Sequence, residues 1–309
     1  MVLNSNNMDK VVKLKPCIKS YLWGGNYFQK YFNSDLDIIS ELWVLSLRGD
    51  DSAIITSGEN TDKRLDEVVT NEDVGPVSQR FPYFPLLIKL IDAKENLSVQ
   101  VHPNDEYALK NERSFGKTEM WHIIDADEGA GLYVGLNDNY TKDEIEKSLK
   151  DGSILETLNF YKVKPGETYV INAGTIHAIG KGVRLIEIQQ NSDLTYRLYD
   201  YLRKDKNGNY RELHIDKALK VINYRHYKQE QTSNEYLANN RYFKVKRVEF
   251  DGEIEISANE DSFLSFTFLD GNGMVDDIVF ARFDTFFLPY GKKCLIKGKG
   301  TVIISGVNL

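Results

Sequence analysis

The chain has 309 residues, 41% of them hydrophobic, with 39 Lys and Arg against 46 Asp and Glu for a formal charge of -7; this is enough apolar material for one large or two modest domains. An acidic balance without a long basic tract argues against nucleic acid or an anionic membrane as partner. No run of about eighteen apolar residues exists to span a bilayer, and residues 1–10 are polar, unlike a secretory leader, so the expected compartment is the cytoplasm. Cys17 and Cys294 stand near opposite ends of the chain, which fits neither a disulfide framework nor a CxxC metal site.

In chain order, residues 11–16 read as an edge strand stopped by Pro16, and Trp23-Gly24-Gly25 demands a turn. Trp23 either packs at a loop or lines a cleft. Residues 39–46 alternate as a strand with Glu41 and Trp43 on one face, so that an inward carboxylate needs a partner. Residues 62–71 predict a short helix. Residues 84–93 predict a buried strand interrupted by Lys89, which either emerges at a sheet edge or points into a polar cavity.

The stretch Leu97-Ser98-Val99-Gln100-Val101-His102-Pro103 organises the rest. Alternate side chains of a strand share a face, so Gln100 and His102 point one way while Val99 and Val101 pack on the other. Pro103 cannot donate to a ladder, which leaves His102 at the rim. Residues 104–113 predict a short helix over the barrel mouth. Residues 116–124 return to strand character, with Lys117, Glu119 and Trp121 on one face and His122, a structural residue, on the other.

Residues 141–158 open Thr-Lys-Asp-Glu, an N-cap pattern, and continue with helical spacing. A Pro165-Gly166-Glu167 turn precedes the strand 168–171, and a second turn over 172–175 delivers His177. Residues 183–189 and 191–201 predict strands, the latter with Arg197 on the face of Thr195 and Tyr199; residues 216–224 predict a short helix. The polar, Asn-rich stretch 229–240 marks a boundary, and residues 242–307 carry short alternating strands with turns at Asp251-Gly252, Asp270-Gly271-Asn272-Gly273, Pro289-Tyr290-Gly291 and Gly298-Lys299-Gly300. The fold class is all-β dominated, barrels or jelly rolls with a few short helices.

Five histidines serve the whole chain, and two of them, His102 and His177, fall at strand and turn junctions beside Gln100 and an inward-facing Glu119. Two imidazoles, a carboxylate and an amide oxygen suit one divalent metal: zinc, but equally iron, manganese, cobalt or nickel. A Gln-x-His pair alone is weak evidence, since a strand histidine is more often a hydrogen-bonded structural residue. All four residues together make the case.

The segments Leu86-Leu87-Ile88-Lys89, Ser98-Val99-Gln100-Val101-His102-Pro103, Lys117-Thr118-Glu119-Met120-Trp121, Gly174-Thr175-Ile176-His177-Ala178 and 194–201, with Trp23-Gly24-Gly25 and Glu41-Leu42-Trp43 before them, resemble type I mannose-6-phosphate isomerases of the short bacterial branch. The resemblance runs in order over residues 16–201. It implies a cupin-type jelly roll, with a metal-binding catalytic domain over residues 1–230 and a smaller cupin-like β domain over residues 231–309. It further implies one Zn2+ per chain on Gln100, His102, Glu119 and His177, with other divalent metals possible. The implied reaction interconverts mannose 6-phosphate and fructose 6-phosphate. Arg197 would stabilise an enediolate, Lys117 would contact the sugar or carry protons, and Lys89 is a weaker candidate of the same kind. The expected partner is a small sugar phosphate, and the expected state is a monomer or weak homodimer. An iron cupin oxygenase and a non-catalytic sugar-binding module are the competing readings.

Overall fold

The computed structural model describes residues 8–205, 207–229, 235–258 and 261–308. A six-stranded antiparallel sheet runs through the middle in the order Thr168–Ile171, Glu119–Ala126, Val183–Gln190, Leu86–Ala93, Glu41–Leu45, Cys17–Lys19. Facing it, a five-stranded antiparallel sheet is ordered Tyr196–Tyr199, Val99–Val101, His177–Ile179, Gly131–Leu136, Leu158–Lys162. The two form a barrel whose closed half is filled by Trp23, Ile91, Leu97, Trp121, Ile123, Leu132, Val134, Ile171, Ile179 and Leu185.

The central sheet is covered on both faces, which is why every residue of Leu86–Ala93 is buried. Leu86, Ile88 and Leu90 belong to a core shared with the C-terminal strands, while Ile91 and Ala93 line the barrel. Lys89 shares the barrel face by alternation. The sheet-edge option for Lys89 is therefore corrected: its strand is interior, and its side chain enters a polar part of the barrel.

The third sheet has eight strands, built on the long pair Lys244–Ser257 and Lys293–Gly306. The N-terminal strand Val12–Lys15 joins it, paired to Thr285–Leu288 on one side and Ile54–Ile55 on the other. The edge-strand expectation for residues 11–16 fails because both sides are occupied. The strands of the C-terminal third are thus completed by chain from the N-terminal segment. The expected boundary between residues 230 and 231 lies outside the described residues.

The C-terminal sheet buries its own phenylalanines, with the Phe268 and Phe280 rings stacked at 3.7 Å and Phe266 and Phe286 at 5.4 Å; each such burial is worth about 1.5–3 kcal/mol. It docks on the central sheet through Phe263, which packs 4.8 Å from Phe84 and 5.3 Å from Phe287. Tyr242 adds a polar tie, donating its hydroxyl to Asp105 Oδ2 at 3.0 Å.

Helices are few and short. The expected helix over 62–71 is two single turns, Leu65–Val68 and Asn71–Val74. That over 141–158 stops at Asp151, where Gly152 turns left-handed at φ 82°, and a 3-10 turn Ile154–Thr157 follows. Its Thr141–Glu144 capping box forms as the sequence implies. The helix expected over 216–224 shrinks to Ile215–Ala218. Among the described residues no helix is long and apolar enough to cross a membrane.

Candidate metal centre

Register assembles one side of the site. His177 and Arg197 both pair with Gln100, so the three lie in one row across three strands of the outer sheet, about 4.8 Å apart per strand. His102 follows the end of its strand at Val101. Opposite, Glu119 begins a central-sheet strand of which the first five residues are buried.

These strands bring His102, Glu119 and His177 together, with ligand atoms within 4.8 Å of one another and all three residues buried. His102 Nε2 is 3.5 Å from Glu119 Oε2, and His177 Nε2 is 3.3 Å from Glu119 Oε1. Each imidazole is held from behind: His102 Nδ1 donates to the Leu194 carbonyl and His177 Nδ1 to the Thr175 carbonyl, both at 2.8 Å. A carbonyl only accepts, so Nδ1 carries the proton and Nε2 presents a lone pair. Burial drives the same outcome, pushing His102 well below its ordinary range and His177 down to about 4.

Two lone pairs therefore face a carboxylate. His102 Nε2 and both Glu119 oxygens are buried without a hydrogen bond, an arrangement that is costly unless a cation lies between them. Burial raises the Glu119 pKa, with the Lys117 ammonium at 3.1 Å working against it. Nitrogen and carboxylate donors of this kind fit a divalent transition metal. Gln100 stands beside the three, its amide nitrogen 3.3 Å from His177 Nε2 and its carbonyl oxygen 3.4 Å from Ser98 Oγ. Rotating the amide by half a turn would present the oxygen to the same spot and leave the NH2 for Ser98.

The other sequence candidates ring this corner. Lys117 is 4% exposed and precedes the Glu119 strand, its backbone N–H donating to the Pro103 carbonyl. Arg197 is half-buried, donating through Nε to Ser98 Oγ at 3.3 Å and through Nη1 to the Glu212 carbonyl at 2.8 Å. Lys89 joins a different cluster. Its ammonium is 3.1 Å from Glu187 Oε1 and 3.7 Å from Glu41 Oε2. Trp121 Nε1 donates to Glu187 at 3.0 Å and Trp43 Nε1 to Glu41 at 2.6 Å.

Glu187, Ser98 and Glu212 were missed by sequence reasoning. Glu187 had a signal, being a lone charge between Ile186 and Ile188 as Lys89 is between Ile88 and Leu90; the two are register partners. Ser98 had one as well, lying two residues before Gln100 on the same strand face; Glu212, which contributes only its carbonyl, had none. Trp23 takes the packing option, buried in the barrel core and stacked 5.5 Å from Tyr21. It sits there because Gly24 and Gly25 bridge to Ala93 and Ile39. A Cβ on Gly24 would lie 1.9 Å from Ser40 Oγ and one on Gly25 2.2 Å from Asp92 Oδ2. His122, on the opposite face, bonds Thr168 Oγ1 at 2.8 Å.

A double-sheet antiparallel barrel presenting two neutral imidazoles and a carboxylate inward defines a metal-binding cupin. The family model for the catalytic domain of type I phosphomannose isomerase matches residues 11–145. Mannose-6-phosphate isomerase ManA of Bacillus subtilis is 35% identical over 292 residues, 90% of this chain and 92% of that protein. The Streptococcus mutans mannose-6-phosphate isomerase is 38% identical over 203 residues, 65% of this chain and 64% of that one. The crystal structure of the Bacillus subtilis mannose 6-phosphate isomerase superposes with a TM-score of 0.85 at 31% identity, over 97% of this chain and all of that one. The chain belongs to the type I phosphomannose isomerase family.

Proposed function

We propose that this chain is a mannose-6-phosphate isomerase, interconverting mannose 6-phosphate and fructose 6-phosphate with one Zn2+ held by Gln100, His102, Glu119 and His177. The observation that carries the metal assignment is that buried His102 Nε2 and Glu119 Oε1 have no hydrogen-bond partner and face one corner, with Lys117 reaching only Glu119 Oε2. When bound, the metal supplies positive charge that polarises the sugar oxygens at C1 and C2.

The chain's own residues do the rest. In the opened aldose, a base removes the C2 proton and the electron pair forms a C1–C2 double bond, leaving negative charge on O1. Returning a proton to C1, with the O2 hydroxyl proton passing to O1, gives the 2-ketose. Lys117 is the proposed carrier of the carbon-bound proton. Arg197, fixed by Ser98 and the Glu212 carbonyl, stabilises the enediolate oxygen, a charge larger in the transition state than in the ground state. Lys89 acts as a positioning residue that pairs with Glu187 and Glu41 and so orders both carboxylates.

We assign these roles to a catalytic unit within residues 1–230, with a smaller C-terminal unit from residue 231, in a cytoplasmic monomer or weak homodimer. A coupled assay converting fructose 6-phosphate to mannose 6-phosphate on chelator-stripped protein tests the reading. Zinc should restore turnover; tight metal and sugar-phosphate binding without turnover would leave a binding module instead. Arg197→Ala with normal turnover would remove the oxyanion role, and Lys117→Ala with normal turnover the proton-carrier role.

A further inference from the structure

We propose that Asp105 and Tyr242 are positioning residues for Lys117 and the metal corner, so that the C-terminal third of the chain contributes to the active site through Tyr242. This rests on the isomerase reading above. Lys117 stands where the sheet no longer fixes the backbone: its strand begins at Glu119, and Gln189–Glu119 is the last register pair with the neighbouring strand. The residues just before Glu119 must find their partners elsewhere.

Each of their N–H groups finds one on a different segment. Gly116 donates to Asp105 Oδ1 at 2.9 Å, Lys117 to the Pro103 carbonyl at 3.0 Å and Thr118 to Gln190 Oε1 at 2.8 Å. Gln190, itself buried, gives its amide nitrogen to the same Asp105 Oδ1 at 3.0 Å. Asp105 Oδ2 accepts the Tyr242 hydroxyl at 3.0 Å. One carboxylate therefore connects Tyr242 to the backbone on both sides of Lys117.

The place is also where the ligand segments meet. A Cβ on Gly116 would lie 2.5 Å from the Asn104 carbonyl carbon and 2.5 Å from the Asp105 nitrogen, so the chain leading to Glu119 crosses the chain leaving His102 backbone on backbone. The turn before His177 joins them: Gly174 donates to the His102 carbonyl at 2.8 Å and Ala173 to Thr118 Oγ1 at 3.4 Å. Asp105 is the clip at this crossing. All three of its partners donate, which suits a carboxylate that only accepts. Tyr242 is preset for its part, because Asn240 Oδ1 accepts the N–H groups of Tyr242 and Phe243 at 2.8 and 3.1 Å. Burial and the charge of Asp105 raise its hydroxyl pKa to about 12, so it remains a donor at neutral pH.

The test compares zinc-loaded wild type with Asp105→Ala, Asp105→Asn, Tyr242→Phe and Phe263→Leu, the last weakening the docking of the C-terminal sheet at a residue that none of these hydrogen bonds involves. Misplacing Lys117 should lower kcat about tenfold or more in Asp105→Ala and about threefold in Tyr242→Phe, with the KM for mannose 6-phosphate within about threefold of wild type. Asp105→Asn, which keeps the shape, should recover part of the loss. The zinc dissociation constant, measured by competition with a chelator, should rise about tenfold in Asp105→Ala. Phe263→Leu should keep the wild-type kcat and zinc constant whatever its loss of stability to urea. If kcat and zinc affinity follow urea stability across all the variants, or stay at wild-type values in Asp105→Ala and Tyr242→Phe, the proposal is overturned. Should Asp105→Ala not fold, Tyr242→Phe against Phe263→Leu decides on the same terms. Zinc affinity separates this inference from the isomerase reading. If wild type binds zinc without isomerising, and Asp105→Ala binds it more weakly while Phe263→Leu does not, the isomerase reading fails and the positioning of the metal corner stands. Equal zinc affinity in Asp105→Ala and wild type, or none in wild type, removes it.

Discussion

Two buried carboxylates on adjacent strands of one sheet, Glu119 and Glu187, differ in what surrounds them. Glu187 has the Trp121 N–H at 3.0 Å and the Lys89 ammonium at 3.1 Å. Burial would raise its pKa, but Lys89 and Lys117 hold it below the usual carboxylate range. Glu119 has Lys117 on one oxygen, yet it faces two imidazole lone pairs, and burial raises its pKa. Glu187 has an N–H or an ammonium against each oxygen, whereas Glu119 has one against Oε2 and leaves Oε1 facing only an imidazole lone pair, the place an added cation would fill. A buried charged group thus reports function through the partner it lacks, more than through burial itself.

The largest effect follows from removing the incomplete one. In Glu119→Gln the bound metal should be lost and turnover should fall about 10^3-fold or more, since metal polarisation is worth several kcal/mol. Metal content by elemental analysis and the coupled assay check this together. Retained metal with full activity would show that Glu119 is as self-sufficient as Glu187.

Breaking the complete cluster should act on stability instead. Lys89→Met leaves Glu187 and Glu41 buried without their cation, at a cost of about 3–5 kcal/mol. Urea unfolding of Lys89→Met, and of the double variant with Glu187→Gln, measures it. The double variant should recover much of the loss. Metal loss in the single variant out of proportion to its destabilisation would mean that the two clusters are one unit.

His122 supplies a control imidazole, buried like His102 and His177 but bonded to Thr168 Oγ1 and pointing away from the site. Burial pushes its pKa down to about 4, with Arg247 adding repulsion. Between about 6.5, the unfolded value, and about 4, the unfolded chain binds a proton that the folded chain excludes. Stability from this residue is therefore complete above about pH 6.5 and falls as pH drops toward 4, by about 3 kcal/mol at most. His122→Gln should flatten that part of the stability profile. An unchanged slope would place the titration elsewhere.

Much of this was legible in the sequence, and the reason is period two. Alternation alone placed Gln100 with His102 and Lys117 with Glu119, because a strand fixes the facing of every second residue. Pairing across strands is not written locally, so neither the Lys89–Glu187 partnership nor the row His177, Gln100, Arg197 could be read. The same limit explains the misplacement of residues 11–16: an edge strand and an interior one share a sequence when the second neighbour is the two-residue strand Ile54–Ile55. Helix lengths were overread at 141–158, where the decisive feature is the left-handed Gly152. Arg197 was legible as a candidate, but of its anchors Ser98 lies on a strand remote in sequence and the Glu212 carbonyl is brought back by the turn of the segment that follows.

The smallest expected effect tests the seam between the clusters. Trp121 shares a strand and a face with Glu119, gives its N–H to Glu187, and meets the His177 ring edge-on at 5.4 Å. Trp121→Phe removes the donor and retains an aromatic ring, so Glu187 loses one bond while keeping Lys89. The expected cost is about 1–3 kcal/mol of stability, the penalty for one unsatisfied buried acceptor. Metal affinity, measured by competition with a chelator, should shift by less than about tenfold, because the His177 orientation is set from behind by the Thr175 carbonyl rather than by Trp121. If affinity falls further than stability does, the indole is holding His177 in place, and the division between a completed cluster and an incomplete one must be redrawn to put Trp121 on the metal side.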